Sequence, residues 1–176
     1  MKYLLLITAL CGFFGAGQIN LISEKSSMKV TGTSSLHDWE MEVEEFDVTG
    51  VVTETQVQNL KVTVVAKSMK SGKSIMDGKA YDAVQADDYP QIIFKAKTLN
   101  IKGTKITGEG TLEIGGESRP IDLQADIVKN ATAEMQLKGS VPVTMTDFDI
   151  TPPTAMFGTL KTGDDIVINY DILITK

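Results

Sequence analysis

Apolar and polar residues alternate with period two along most of this sequence, and one mid-chain stretch breaks the rhythm with a helical period. Trp39, Met41 and Val43 alternate with Glu40, Glu42 and Glu44. Near the other end Ile166, Ile168, Tyr170, Ile172 and Ile174 share one face, opposite Asn169, Asp171 and Thr175. Successive side chains of a strand point to opposite sides, so each stripe reads as a strand with one apolar and one wet face. Such strands must pair their edges and cover their apolar faces, which confines the chain to a barrel or a two-sheet sandwich.

The interruption spans about residues 69–89. Ile75, Met76, Lys79, Ala80, Ala83 and Val84 recur at spacings of three and four, as one stripe on a short helix does. Asp77 lies near its start, and Asp87-Asp88-Tyr89-Pro90 stops it. An apolar helical insert in a β-protein either caps a barrel mouth or crosses between sheets.

Around it the chain reads as eight strands. The first is centred on Met28 and Val30, and the second runs from Trp39 into Phe46 and Val48, which lie on the opposite parity. That slip is what a β-bulge produces, and bulges bend strands at barrel corners. The third carries Leu60, Val62, Val64 and Ala66, and the fourth Ile92, Phe94 and Ala96. Ile106, Leu112 and Ile114 share a face with Gly108 and Gly110, and after a Gly115-Gly116 hairpin Ile121, Leu123, Ala125 and Ile127 return. Met135, Leu137, Gly139, Val141 and Val143 give the seventh stripe, with Pro142 on the other parity. Residues 147–163 are expected to be irregular because of Pro152-Pro153, with Met156, Phe157 and Leu160 needing burial. The last strand is the isoleucine stripe. The expected fold is therefore an all-β, eight-stranded antiparallel barrel with a short helical insert and an irregular late loop.

Residues 1–17 are read as a cleaved secretory leader. Lys2 supplies a positive start, Leu4 to Phe14 an apolar run, and Gly15-Ala16-Gly17 the small residues of a cleavage point. The run falls short of the roughly 20 residues of a membrane span. This leaves 18–176 as one domain, periplasmic or secreted. Cys11 is the only cysteine and leaves with the leader, so the domain has no disulfide, thiolate or cysteine metal site. A net charge of −6 argues against nucleic acid and against electrostatic docking on anionic lipid.

An eight-stranded barrel either fills with side chains or holds one ligand. The inward stripes here are Val, Ile, Leu, Met, Ala and Gly, with few aromatics, and periodicity alone leaves both outcomes open. Three segments resemble the YceI-like family of secreted lipid-binding proteins: Gly32-Thr33-Ser34-Ser35-Leu36-His37-Asp38-Trp39; Ile75 to Ala83 leading through Tyr89-Pro90 to Phe94; and Pro153 to Leu160 leading to Gly163-Asp164. The resemblance implies a lipocalin-like barrel that takes a long apolar chain, typically a polyisoprenoid, into its interior in the periplasm. It implies no metal and no cofactor other than the lipid.

One parity of each strand then gives the lipid-binding residues: Trp39, Met41, Val43, Val62, Val64, Phe94, Leu112, Met135, Leu137, Val141, Ile168 and Tyr170. Met76 and Tyr81 join from the insert, and Met156 and Phe157 from the late loop, the two elements expected to form a lid. His37, the sole histidine, is a candidate head-group contact at the mouth. The expected activity is non-catalytic lipid binding, for transport or storage, with transient membrane contact and a monomeric or homodimeric state. Two other readings compete with it: a structural or interaction barrel with a filled core, and a lipid-modifying enzyme using His37 as base.

Overall fold

The computed structural model describes residues 16–176, so the leader expected over residues 1–17 lies almost wholly outside the described residues. Nine long antiparallel strands curl into one sheet: β1 (Ser27–Ser34), β2 (Trp39–Val43), β3 (Phe46–Val52), β4 (Gln56–Val65), β5 (Gln91–Lys102), β6 (Lys105–Ile114), β7 (Glu117–Asn130), β8 (Glu134–Thr144) and β9 (Leu160–Thr175). One helix, α1 (Ser74–Ala83), stands outside it. The strand order is β3-β4-β5-β6-β7-β8-β9-β1-β2.

The ninth strand arises because the expected second strand is broken in two. Glu44 and Glu45 are both exposed, and the buried parity passes from Met41 and Val43 to Val48 and Val52. β2 pairs with β1, whereas β3 pairs with β4, so one bent stretch of chain joins the two ends of the sheet. Ser68, itself buried, holds the bend. Its hydroxyl accepts from the Glu45 amide at 3.1 Å and lies 2.8 Å from the Val65 carbonyl, while its own carbonyl accepts from the Glu44 amide at 3.1 Å. At the opposite end residues 17–21 complete the curl: Gly17 and Gln18 pair with Val52 and Val51, and Asn20 and Leu21 pair with Thr175 and Ile174.

Pro142 lies inside β8, opposite Val167 of β9. Its other side is free, because β7–β8 pairing runs only from Ala125↔Gly139 to Asn130↔Met135. The short turn Met145–Phe148 packs over that split with Met145 and Phe148 buried. Three aromatic side chains occupy the space beside glycines of a neighbouring strand: Trp39 at Gly32, Phe94 at Gly110 and Tyr170 at Gly139. A β-carbon at any of these glycines would collide with the ring. Gly108 and Gly110, on the apolar face of β6, leave room for the side chains of Leu99 and Phe94.

Two boundaries differ from the sequence expectation. The helix is ten residues long rather than filling 69–89, because Met69–Lys70 pairs with β2 before it begins. The last strand begins at Leu160, within the segment expected to be irregular. A register shift between Thr162 and Ile166 lets β9 pass Gly163-Asp164-Asp165 and still pair with β1. The Ser68→Ala substitution removes the acceptor of the Glu45 amide and should cost about 1–3 kcal/mol. Urea denaturation measures this; stability unchanged from wild type would show that the bend needs no pin.

Candidate functional site

The interior holds two apolar chambers. The lower one, about 130 Å³, is walled by strand residues such as Val62, Val64, Phe94, Leu112, Leu137 and Val141. The upper one, about 570 Å³, lies where α1 and the late loop overhang the sheet, within the 300–1,000 Å³ usual for ligand sites. Ile92 and Ile168 line both chambers and form the waist between them. Ile19, from the 17–21 segment, forms part of the lower chamber's floor.

Helix α1 is placed by its two stripes. Ile75, Met76, Lys79, Ala80, Ala83 and Val84 all face the upper chamber. Asp77 and Tyr81, four residues apart, turn instead toward the 68–71 stretch. The Asp77 carboxylate accepts from the Ser71 hydroxyl at 2.6 Å and the Ser71 amide at 2.8 Å. These bonds, the hydroxyl's foremost, hold the carboxyl below its ordinary pKa. Tyr81 donates to the Met69 carbonyl at 2.8 Å and accepts from the Lys70 ammonium at 2.7 Å. The helix therefore roofs the upper chamber through side chains that hydrogen-bond to its flank.

The electrostatics of the two chambers differ. Tyr170 is the one titratable lining residue of the lower chamber. Burial, then the charge of Asp126, pushes its hydroxyl up to about 12, so it stays neutral and donates to the Gln124 carbonyl at 2.7 Å. The upper chamber has His37, Lys73 and Lys79 among its lining residues and no carboxylate. His37 is exposed, and its Nδ1 lies 2.8 Å from the Asp38 carbonyl, which can only accept. Nδ1 is therefore the donor in that contact.

The sequence-predicted residues distribute as follows. Val62, Val64, Phe94, Leu112, Leu137 and Val141 line the lower chamber, and Tyr170 joins them. Trp39, Met41, Met76 and His37 line the upper one, and Ile168 belongs to both. Five residues are not in either lining. Val43 is buried with Met28, Met41, Val64 and Met69 in a packed cluster, so its inward parity meets side chains rather than space. Met135 is buried opposite Ile174. Tyr81 is held on the helix flank by the hydrogen bonds above. Met156 and Phe157, expected to be buried, are exposed, because consecutive left-handed residues (φ 51° and 56°) turn them away from the sheet.

The chambers also use residues that the sequence reading left out. Ile106, Ile121, Leu123 and Ile172 sit on stripes it recognised but did not assign to the lumen, whereas Leu99 lies on the parity opposite Ile92, Phe94 and Ala96, past a register shift between Lys95 and Asn100. Lys73 and the rim residues Ser34, Thr154 and Thr162 carry no periodic signal. Ile19 adjoins the leader and has no stripe of its own.

A sequence model of the YceI-like domain matches residues 19–174. No curated protein is matched by the chain. Among solved structures, BcnA of Burkholderia cenocepacia is similar over 88% of this chain and 99% of its own, at 17% identity and a TM-score of 0.75. A polyisoprenoid binding domain from Saccharophagus degradans, described as implicated in plant cell wall breakdown, aligns over 89% of this chain and 97% of its own, at 10% identity and a TM-score of 0.65. The YceI protein of Campylobacter jejuni aligns over 77% and 84%, at 22% identity and a TM-score of 0.65.

The tether at Asp77 predicts a pH response. A carboxyl whose folded pKa is lowered contributes fully above its free value of about 3.9, and that contribution is lost as pH falls through the lowered value. Hydrogen exchange of the 71–83 amides should therefore show protection that falls only below about pH 4. In Asp77→Ala the protection should be lower by roughly tenfold or more at pH 7, and the difference should narrow below about pH 4 as the wild-type carboxyl protonates. Equal protection in the two proteins at pH 7 would exclude the tether.

Proposed function

Because the chain belongs to the YceI-like family, we propose that it takes a long-chain apolar lipid, such as a polyisoprenoid or prenyl quinone, into its two chambers and carries or stores it without chemistry. The observation that carries this reading is the pair of chambers meeting at Ile92 and Ile168, with an apolar end deep in the barrel and a polar rim at the mouth. The polyisoprenoid binding domain with the same fold supports the choice of ligand class. The apolar tail occupies the lower chamber, and the head group rests near His37, Lys73 and Lys79.

The energetics suit a carrier. Each buried CH₂ is worth about 0.8 kcal/mol against water. The lipid's real alternative is a membrane interior as apolar as the chamber, so most of that gain cancels and loading stays reversible. Selection then falls to the few polar groups at the rim. We place the protein in the periplasm, a reading supported by Lys2 and the Leu4–Phe14 run of the sequence.

Trp39 is the only tryptophan and lines the upper chamber, so its emission reports occupancy. Titration with a prenyl quinone should change that emission saturably. Ile168→Phe should weaken binding by roughly tenfold or more, because overpacking the waist costs about 1–3 kcal/mol. His37→Ala should leave tail binding in place. A waist variant that binds as well as wild type would show that the tail does not pass into the barrel.

A further inference from the structure

The rim of the upper chamber carries an unusual share of exposed apolar side chains. Six large apolar residues stand exposed among the described residues, and four of them surround this mouth: Leu36 (70%), Ile75 (79%), Met156 (72%) and Phe157, which is fully exposed. Ile75 lines the chamber, Leu36 lies between the lining residues Ser34 and His37, and Met156 and Phe157 lie between Ala155 and Leu160. The two loops are fastened side by side: the Ser35 amide donates to the Lys161 carbonyl at 2.9 Å, and the Lys161 amide to the Ser35 hydroxyl at 3.1 Å.

These tips are held outward at a cost. Met156 and Phe157 both occupy the left-handed region, which disfavours bulky side chains, and neither gains burial in return. Apolar groups exposed together around an opening mark a surface that meets an apolar partner. Lys73 and Lys79 stand on the same rim, make no ion pair among the described residues, and meet no carboxylate in the chamber lining. Lys73 is also the residue preceding the first turn of α1, where the helix dipole disfavours a cation. On a chain of net charge −6, the chamber lining, with two lysines and no carboxylate, is a local exception complementary to anionic head groups.

We propose that this rim docks on an anionic bilayer: Leu36, Ile75, Met156 and Phe157 enter the interfacial region while Lys73 and Lys79 meet lipid phosphates. The mouth then opens against the membrane, and a lipid tail passes between bilayer and barrel without crossing water. This inference rests on the lipid-carrier reading above and adds where loading takes place. It also corrects the expectation from net charge, which averages over a chain whose upper-chamber lining is locally basic.

Flotation with vesicles of phosphatidylcholine, with and without phosphatidylglycerol, tests it. The wild-type protein should float with the phosphatidylglycerol vesicles. The double variant Leu36→Asp/Phe157→Asp should bind them roughly tenfold less or weaker still, since burying one such side chain is worth at least a decade in partition. Lys73→Glu/Lys79→Glu should lose the phosphatidylglycerol dependence. Leu36 and Phe157 are outside both chambers, so their double variant should still take prenyl quinone from detergent and melt at the wild-type temperature. Flotation of the aspartate variant at wild-type levels, or none by wild type, overturns the inference. So does a dimer in sedimentation that the aspartate variant disperses without any vesicle binding, which assigns the rim to a second copy. Vesicle binding by a wild-type protein that takes no quinone from detergent sinks the carrier reading while leaving the docking surface.

Discussion

The bend at Glu44–Glu45 is the feature on which the rest of the structure depends. A sheet of strands with one apolar face has two open edges, and each edge is a row of unpaired amides and carbonyls. Here a single stretch, 39–52, belongs to both edges: its first half pairs with β1 and its second with β4. The two outward glutamates let the chain change parity without burying a charge, and Ser68 satisfies both amides left over at the turn. Once that corner is set, the curl of the sheet and the inward face of every strand follow.

Curling alone does not leave a cavity, because an apolar interior tends to close-pack. The open volume depends on where the large rings go. Trp39, Phe94 and Tyr170 each lie over a glycine of the adjacent strand, so the bulk of three aromatic residues becomes wall rather than filling. Tyr170 also spends its hydroxyl on the Gln124 carbonyl, which leaves only the ring's apolar body to face the lower chamber. What remains inside is mostly branched aliphatic surface, suited to a flexible apolar chain and poor at discriminating its length. The helix adds a roof whose hydrogen bonds, at Asp77 and Tyr81, lie on its flank and outside the chamber lining.

Much of this is legible in the sequence, for a stated physical reason. Period two and the phase slip between Val43 and Phe46 follow from strand geometry, so strands and corner could both be read. The stripe from Ile75 to Val84 likewise identifies the helix face that meets the chamber. Less legible was whether an inward residue meets space or another side chain: Val43 and Met135 have the expected parity and are buried among neighbours. Tyr81 lies on the helix flank rather than in a chamber lining, a placement that amphipathic character does not reveal. Met156 and Phe157 were misread most instructively. Apolar residues are often inside, but the rule does not run in reverse, and a left-handed turn that no composition signals carried both outward. The last strand's start at Leu160 was hidden by the glycine and two aspartates that its irregular register accommodates.

The central claim is that the two chambers hold one long apolar molecule. Native mass spectrometry of the protein purified from the cells that make it, with organic extraction of whatever accompanies it, tests that claim most directly. The account predicts a stoichiometric apolar species of discrete mass, lost on extraction. A protein of bare chain mass that also fails to take up added prenyl quinone would contradict it and leave a curled barrel with an unfilled interior but no cargo.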